Sequence, residues 1–221
     1  MSTDSGPISR CYFFIRNIAE HRAYNITDTH SVDRVCGRCY TFLNNRGFIM
    51  EVILREWFAS DAPALAKILN DGEAHKFLSD LPLPYTAADA AWFINHCLNA
   101  PKDKTYQFAI VADGKLAGNI SAERGAKNIQ RLSAELGYYV ARPLWGRGIA
   151  TAAVKAIAKY IFENTDIVRL TAEVFAENAA SARVLEKCGF RREGTLKSAL
   201  VKYGKLHDAY IYALLKDEAL Q

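Results

Sequence analysis

The sequence predicts a mixed α/β fold, and three observations carry that prediction. Asp113-Gly114 lies between two apolar runs and reads as an antiparallel hairpin turn. Between residues 132 and 175 a strand, a glycine turn, a helix and a second strand follow one another, the pattern of a parallel crossover. After that turn, Ile149, Ala153, Ala156, Ile157, Tyr160 and Ile161 fall at offsets of 4, 7, 8, 11 and 12, which fit one helical face.

Residues 1–48 hold no sustained period of 2 or 3.6 and are rich in Arg, Asn, Ser and Thr. They read as a poorly ordered extension, with Met50 a candidate native start, and the folded domain is placed at 49–217. Residues 51–57 read as a strand. Ser60 or Asp61 then caps a helix with Leu65, Ile68 and Leu69 on its apolar face. A short helix covers 72–78, and Pro82 and Pro84 break the chain. Thr86 and Asp89 form a capping box for a helix reaching about Leu98. Strands at 106–112 and 115–122 flank the hairpin turn, and a polar loop at 123–130 leads to a third strand at 132–141. After the glycine-turn helix, residues 168–175 alternate as a strand. Residues 178–187 form a short helix closed by Gly189. Strands at 190–196 and 207–214 enclose a turn at Lys202-Tyr203-Gly204-Lys205.

Composition narrows the functional class. Of the 221 residues 50% are hydrophobic and 24% charged, which suits one sizeable core. A net charge of +4 is too small to argue for a nucleic-acid surface, but a local anion site is compatible with it. No apolar run approaches the ~20 residues that cross a bilayer, so no membrane role is expected. Cys11, Cys36, Cys39, Cys97 and Cys188 form an odd, scattered set, and no secretory signal precedes them; a reducing, cytoplasmic setting is expected. Cys36-Gly37-Arg38-Cys39 lacks the second ligand pair that a zinc site needs, so no metal is expected.

Two segments carry chemistry. In the first, Tyr139-Val140-Ala141 ends a strand and Trp145-Gly146-Arg147-Gly148-Ile149-Ala150-Thr151 turns into a helix. The first N–H groups of a helix lack internal partners, and its dipole makes that end positive. Glycines let a phosphate approach such a main-chain cradle, and Arg147 adds charge. Neither a dinucleotide fingerprint nor a P-loop is present, because the third glycine and the Gly-Lys-Ser/Thr are missing. In the second segment, Asn178 stands at a helix cap with Ser181 three residues on. Glu135 and Glu173 lie within otherwise apolar strands, a costly place for a charge unless it faces a polar cavity. His75, His96 and His207 form no constellation and read as structural.

The pair of segments resembles the GNAT N-acetyltransferase superfamily, and most closely its ribosomal-protein-alanine acetyltransferase-like branch, over about residues 50–216. Gly148 and Ala150 fit the family's Gln/Arg-x-x-Gly-x-Gly/Ala pyrophosphate loop, while Trp145 replaces the usual Gln or Arg. Asn178-x-x-Ser181 followed by Val184-Leu185-Glu186-Lys187-Cys188-Gly189-Phe190 resembles its second cofactor motif. The resemblance implies a splayed parallel strand pair within a sheet whose first half is antiparallel, and acetyl-CoA as co-substrate. It implies that Tyr139, Val140 and Ala141 pair with pantetheine. Trp145 to Thr151 would then hold the pyrophosphate, with Asn178 and Ser181 beside the thiol.

Acetyl transfer to an amine needs a neutral amine, a stabilised oxyanion and a proton for the thiolate. The resemblance favours Glu173 as base, because a glutamate five residues before the motif asparagine is the proposed base in related N-terminal acetyltransferases. Glu135 would bind the amine or share the relay. Many relatives use a tyrosine acid where Leu185 stands here, so Ser181 is the candidate acid. The acceptor is a small amine or a protein N-terminus, and the chain is a monomer or homodimer. The alternative is a non-catalytic acyl-CoA-binding sensor on the same fold.

Overall fold

The computed structural model describes residues 40–43, 49–72, 74–78, 81–125 and 132–219. Its strands are β1 Tyr40–Leu43, β2 Ile49–Arg55, β3 Thr105–Ala112, β4 Lys115–Arg124, β5 Ser133–Val140, β6 Arg169–Phe175, β7 Arg191–Lys202 and β8 Lys205–Leu215. Its helices are α1 Ala62–Leu69, α2 Ala87–Asn99, α3 Ile149–Asn164, α4 Ala179–Lys187 and α5 Lys216–Ala219. The strands form a single sheet in the order β1-β2-β3-β4-β5-β6-β8-β7. Only β5 and β6 run parallel; every other neighbouring pair is antiparallel.

Period-2 alternation gives the sheet two faces. In β6, Leu170, Ala172 and Val174 are buried while Arg169, Thr171, Glu173 and Phe175 are half-buried on the other side. Leu170, Ala172 and Val174 join Ile120, Ala122, Ala134 and Leu136 against Ile149, Ala153, Ala156, Ile157 and Ile161 of α3 and Leu185 of α4. These α3 positions are the face that the helical spacing predicts. Each of the Ile, Leu and Val side chains among them contributes about 1.5–3 kcal/mol by leaving water. The opposite face carries α1 and α2, where Leu65, Leu69, Ile94 and Cys97 pack with Trp57 and Ala109.

Two polar junctions fix the entries to these helices. Asp61 accepts bonds of 2.7 and 2.8 Å from the Arg55 guanidinium and of 2.9 Å from the Phe58 N–H. The expected capping box is present in α2: Asp89 N–H donates to Thr86 Oγ1 at 3.2 Å, and Thr86 N–H to Asp89 Oδ2 at 2.7 Å. His75 is buried on the Leu69 carbonyl, and His96 stacks on Trp92.

Three boundaries differ from expectation. β1 lies inside the segment read as an extension, because four residues are too few to display a period and cross-strand bonds to β2 define them. β4 runs on to Arg124, so Glu123 and Arg124 belong to a strand and not to a polar loop; residues 126–130 lie outside the described residues. β7 and β8 pair through Leu200↔His207 to Lys202↔Lys205, so the strands run beyond the expected ends at 196 and 207 to a two-residue turn. Tyr203 and Gly204 supply the positive φ angles, 50° and 73°, that such a turn requires. Exposed Val201, Tyr203 and Leu206 gave no alternation to reveal it.

Candidate active site

The site is a fork in the sheet. β5 and β6 pair only at Ser133↔Arg169, Ala134↔Leu170 and Glu135↔Thr171. Beyond Glu135 each strand is held by its other neighbour: β5 pairs with β4 from Ala134 to Val140, and β6 with β8 along its whole length. The two edges therefore diverge and leave backbone groups facing one another across an opening.

Alternation decides which groups face it. Ala141 N–H donates to Ala117 O at 2.7 Å, toward β4. The Tyr139 carbonyl also points to β4, 2.1 Å from where a Cβ on Gly118 would stand. Val140 and Tyr138 thus present their main-chain groups to the fork, and Tyr139 and Ala141 do not. Of the expected stretch Tyr139 to Ala141, Val140 alone turns its main-chain groups to the fork. The Val140 carbonyl already accepts a 2.6 Å bond from the Trp145 indole N–H, which ties the glycine turn to the strand.

At the turn, Gly146 and Gly148 adopt φ of +72° and +84°. A Cβ on Gly146 would meet nothing within 4 Å, so glycine is needed there for its backbone angle and not for space. The first helical bond runs from Ala152 N–H to Gly148 O at 3.0 Å, so the N–H groups just before it are left for a ligand. Ile149 is buried and anchors the helix, Ala150 packs on the core, and Thr151 accepts from Cys188 Sγ through its carbonyl. Arg147 is exposed and lines a cavity of about 500 Å³ with Lys67 and Lys115. A bare, positive helix end beside an open strand edge fits a diphosphate with an extended amide chain.

Carboxylates gather on the α1/α2 face. Glu135 and Thr171 form the last paired rung, and Glu123 of β4 stands directly opposite Glu135. Burial, and then the Glu135 charge, push the Glu123 carboxyl up to about 7. Glu123 Oε2 and Glu173 Oε1 are buried without a hydrogen-bond partner. At the far end of β6 the Phe175 ring meets Phe77 at 5.7 Å and His207 at 5.5 Å, and His207 Nδ1 lies 3.0 Å from Glu177 Oε1.

The other face carries the start of α4. Asn178 Oδ1 accepts from Ser181 N–H at 3.1 Å. Ser181 Oγ lies 2.9 Å from the Tyr138 hydroxyl, which also donates to the Ser181 carbonyl at 3.2 Å. Leu185 is wholly buried. The fork therefore has carboxylates above and a serine–tyrosine contact below.

The sequence reading brought together Glu135, Glu173, Asn178, Ser181 and the turn, and missed Glu123, Tyr138, Phe77 and Phe175. Parity along β5 would have placed Tyr138 with Leu136, on the face of α4. No local pattern could join Phe77 to Phe175. Cys36 and Cys39 lie outside the described residues, and no cluster of potential metal ligands occurs among the described ones.

A family model described as an acetyltransferase (GNAT) domain matches residues 51–191. The chain belongs to the GNAT acetyltransferase family. It is thus an acetyl-CoA-dependent N-acetyltransferase. This GNAT enzyme shares 28% identity over 172 residues with the uncharacterized N-acetyltransferase p20 of Bacillus licheniformis, covering 75% of this chain and 93% of that one. In fold it is similar to Mycobacterium smegmatis RimJ in complex with CoA-disulfide, with a TM-score of 0.70, 24% identity, and coverage of 83% and 89%. A second solved relative is RimL, a ribosomal alpha-N-protein acetyltransferase in complex with coenzyme A, with a TM-score of 0.66, 25% identity, and coverage of 75% and 93%. No helix among the described residues of the enzyme is long and apolar enough to cross a membrane.

Proposed function

We propose that this enzyme moves an acetyl group from acetyl-CoA to a primary amine, on a protein N-terminus or a small amine, by direct attack on the thioester. The fork carries this reading, because it sets unpartnered carboxylate oxygen on one face of a strand opening and a hydroxyl on the other. When bound, acetyl-CoA supplies a carbonyl open to attack and a thiolate leaving group. The main chain of Trp145, Gly146, Arg147, Gly148, Ile149, Ala150 and Thr151 holds the pyrophosphate, and Arg147 adds mobile charge. Val140 pairs with the pantetheine amides.

Glu173 takes the proton of the incoming ammonium, because a protonated amine has no lone pair. Its buried Oε1 has no partner to compete for that proton. Glu135, crowded by Glu123, holds the ammonium at the fork apex by charge. Asn178 fixes the first turn of α4, so that Ser181 offers its hydroxyl to the departing sulfur. The likeness to RimL supports a protein N-terminus among the acceptors. Free thiols at Cys97 and Cys188 support a reducing, cytoplasmic setting.

The test is a free-thiol assay over a panel of N-terminal peptides and small amines, paired with calorimetric titration of coenzyme A. Glu173→Gln should lower kcat by about 100-fold or more while the Kd for coenzyme A stays within twofold. Coenzyme A binding without acetylation of any amine would replace this reading with the sensor.

A further inference from the structure

The serine at the head of α4 does not stand alone. Tyr138 reaches it from β5, on the opposite strand of the fork, and its hydroxyl lies 2.9 Å from Ser181 Oγ and 3.2 Å from the Ser181 carbonyl. The ring packs against the main core, so the hydroxyl is held from behind. One turn further along α4 stands Leu185, wholly buried, so the phenol that meets the first turn of α4 comes from β5.

We propose that Tyr138 is a positioning residue that sets Ser181 as hydrogen-bond donor to the leaving sulfur. This rests on the proposed role of Ser181. A serine hydroxyl has one proton and two acceptor sites, and alone it rotates freely. The single phenol proton, shared between the nearer Oγ and the Ser181 carbonyl, occupies one acceptor site of the serine and turns the serine proton toward the opening. Burial pushes the Tyr138 phenol up to about 12, against a smaller lowering by the Ser181 bond, so it remains a donor throughout the working range. No proton leaves the pair. The C–N bond forms and the C–S bond breaks, sulfur keeps the electron pair, and Ser181 stabilises it by a charge-assisted bond. The proton lost by the amine nitrogen finally neutralises the thiolate through the carboxylates and solvent.

The test compares coenzyme A with desulfo-coenzyme A by calorimetry from pH 7.5 to 9.5, as the free thiol ionises. A donor aimed at sulfur favours the thiolate, so the affinity ratio should rise about tenfold with pH in the unaltered enzyme. Tyr138→Phe keeps the ring and should flatten the rise, as should Ser181→Ala. Turnover should fall about tenfold in each variant and no further in the double variant, with KM for acetyl-CoA within twofold. A 3-fluoro ring at position 138, a stronger donor, should steepen the rise. If Ser181→Ala flattens the ratio and Tyr138→Phe does not, the tyrosine role is overturned and the serine role stands. A flat ratio in the unaltered enzyme, or a rise that survives Ser181→Ala, overturns the serine role and this inference with it.

Discussion

Glu123 and Glu135 face each other across a ladder rung, and that arrangement has a measurable cost. Burial and the neighbouring charge raise Glu123 from an ordinary 4.5 to about 7. Each pKa unit corresponds to about 1.36 kcal/mol, which sets a ceiling near 3 kcal/mol for a fully shielded group. Glu123 is only half-buried, and solvent screening brings the expected effect to about 1 kcal/mol. Folded Glu123 keeps its proton until about pH 7, whereas the unfolded chain releases it near 4.5. Within that window the folded state binds more protons, so stability is lost as pH rises. Glu123→Gln carries no such penalty. Urea unfolding followed by tryptophan fluorescence at pH 5 and pH 8 reads it directly. Relative to the unaltered enzyme, the variant should gain about 1 kcal/mol between the two pH values, equivalent to about 2–4 °C in Tm. Glu135→Gln should recover only a minor part, because burial is the larger cause. An equal stability difference at both pH values, or a variant less stable at pH 8, would refute the reasoning.

Three further perturbations test the frame around the fork. Gly118→Ala places a Cβ 2.1 Å from the Tyr139 carbonyl, a backbone atom that can yield only by moving β5. Thermal unfolding should show a loss of about 1–3 kcal/mol, with weaker coenzyme A binding. Gly148→Ala forces a side chain into φ +84°, at about 1–2 kcal/mol, and titration should show affinity for coenzyme A falling about tenfold. Trp145→Phe removes the donor to Val140 O while its exposed ring leaves the core untouched. One internal hydrogen bond is worth about 1 kcal/mol, so Tm should fall by about 2–4 °C, and coenzyme A affinity should fall about fivefold as Val140 loses its tie to the turn.

The elements of the fork were legible because each has a local cause. Helical spacing from Ile149 to Ile161 specified which face of α3 is buried. Thr86 and Asp89 announced α2, and Gly189, at φ +88°, closed α4. The glycine turn and Asn178-x-x-Ser181 were legible as helix starts, since both rest on helix ends that any helix possesses. The β7–β8 hairpin was shortened in the reading because its outer end is exposed, and alternation reports burial rather than hydrogen bonding.

Chain order alone determined which residues sit on strands, which open helices, and that a strand runs through a glycine turn into a helix. It could not determine what stands across from what. That Glu123 opposes Glu135, that Tyr138 touches Ser181, and that Phe77 covers Phe175 are decided by sheet register and by packing between segments about 12 to 98 residues apart. Parity and capping act over a few residues, whereas carboxylate repulsion and hydroxyl contact act through space. The proposed chemistry rests on the second kind of neighbour, which sheet register and the docking of α4 supply.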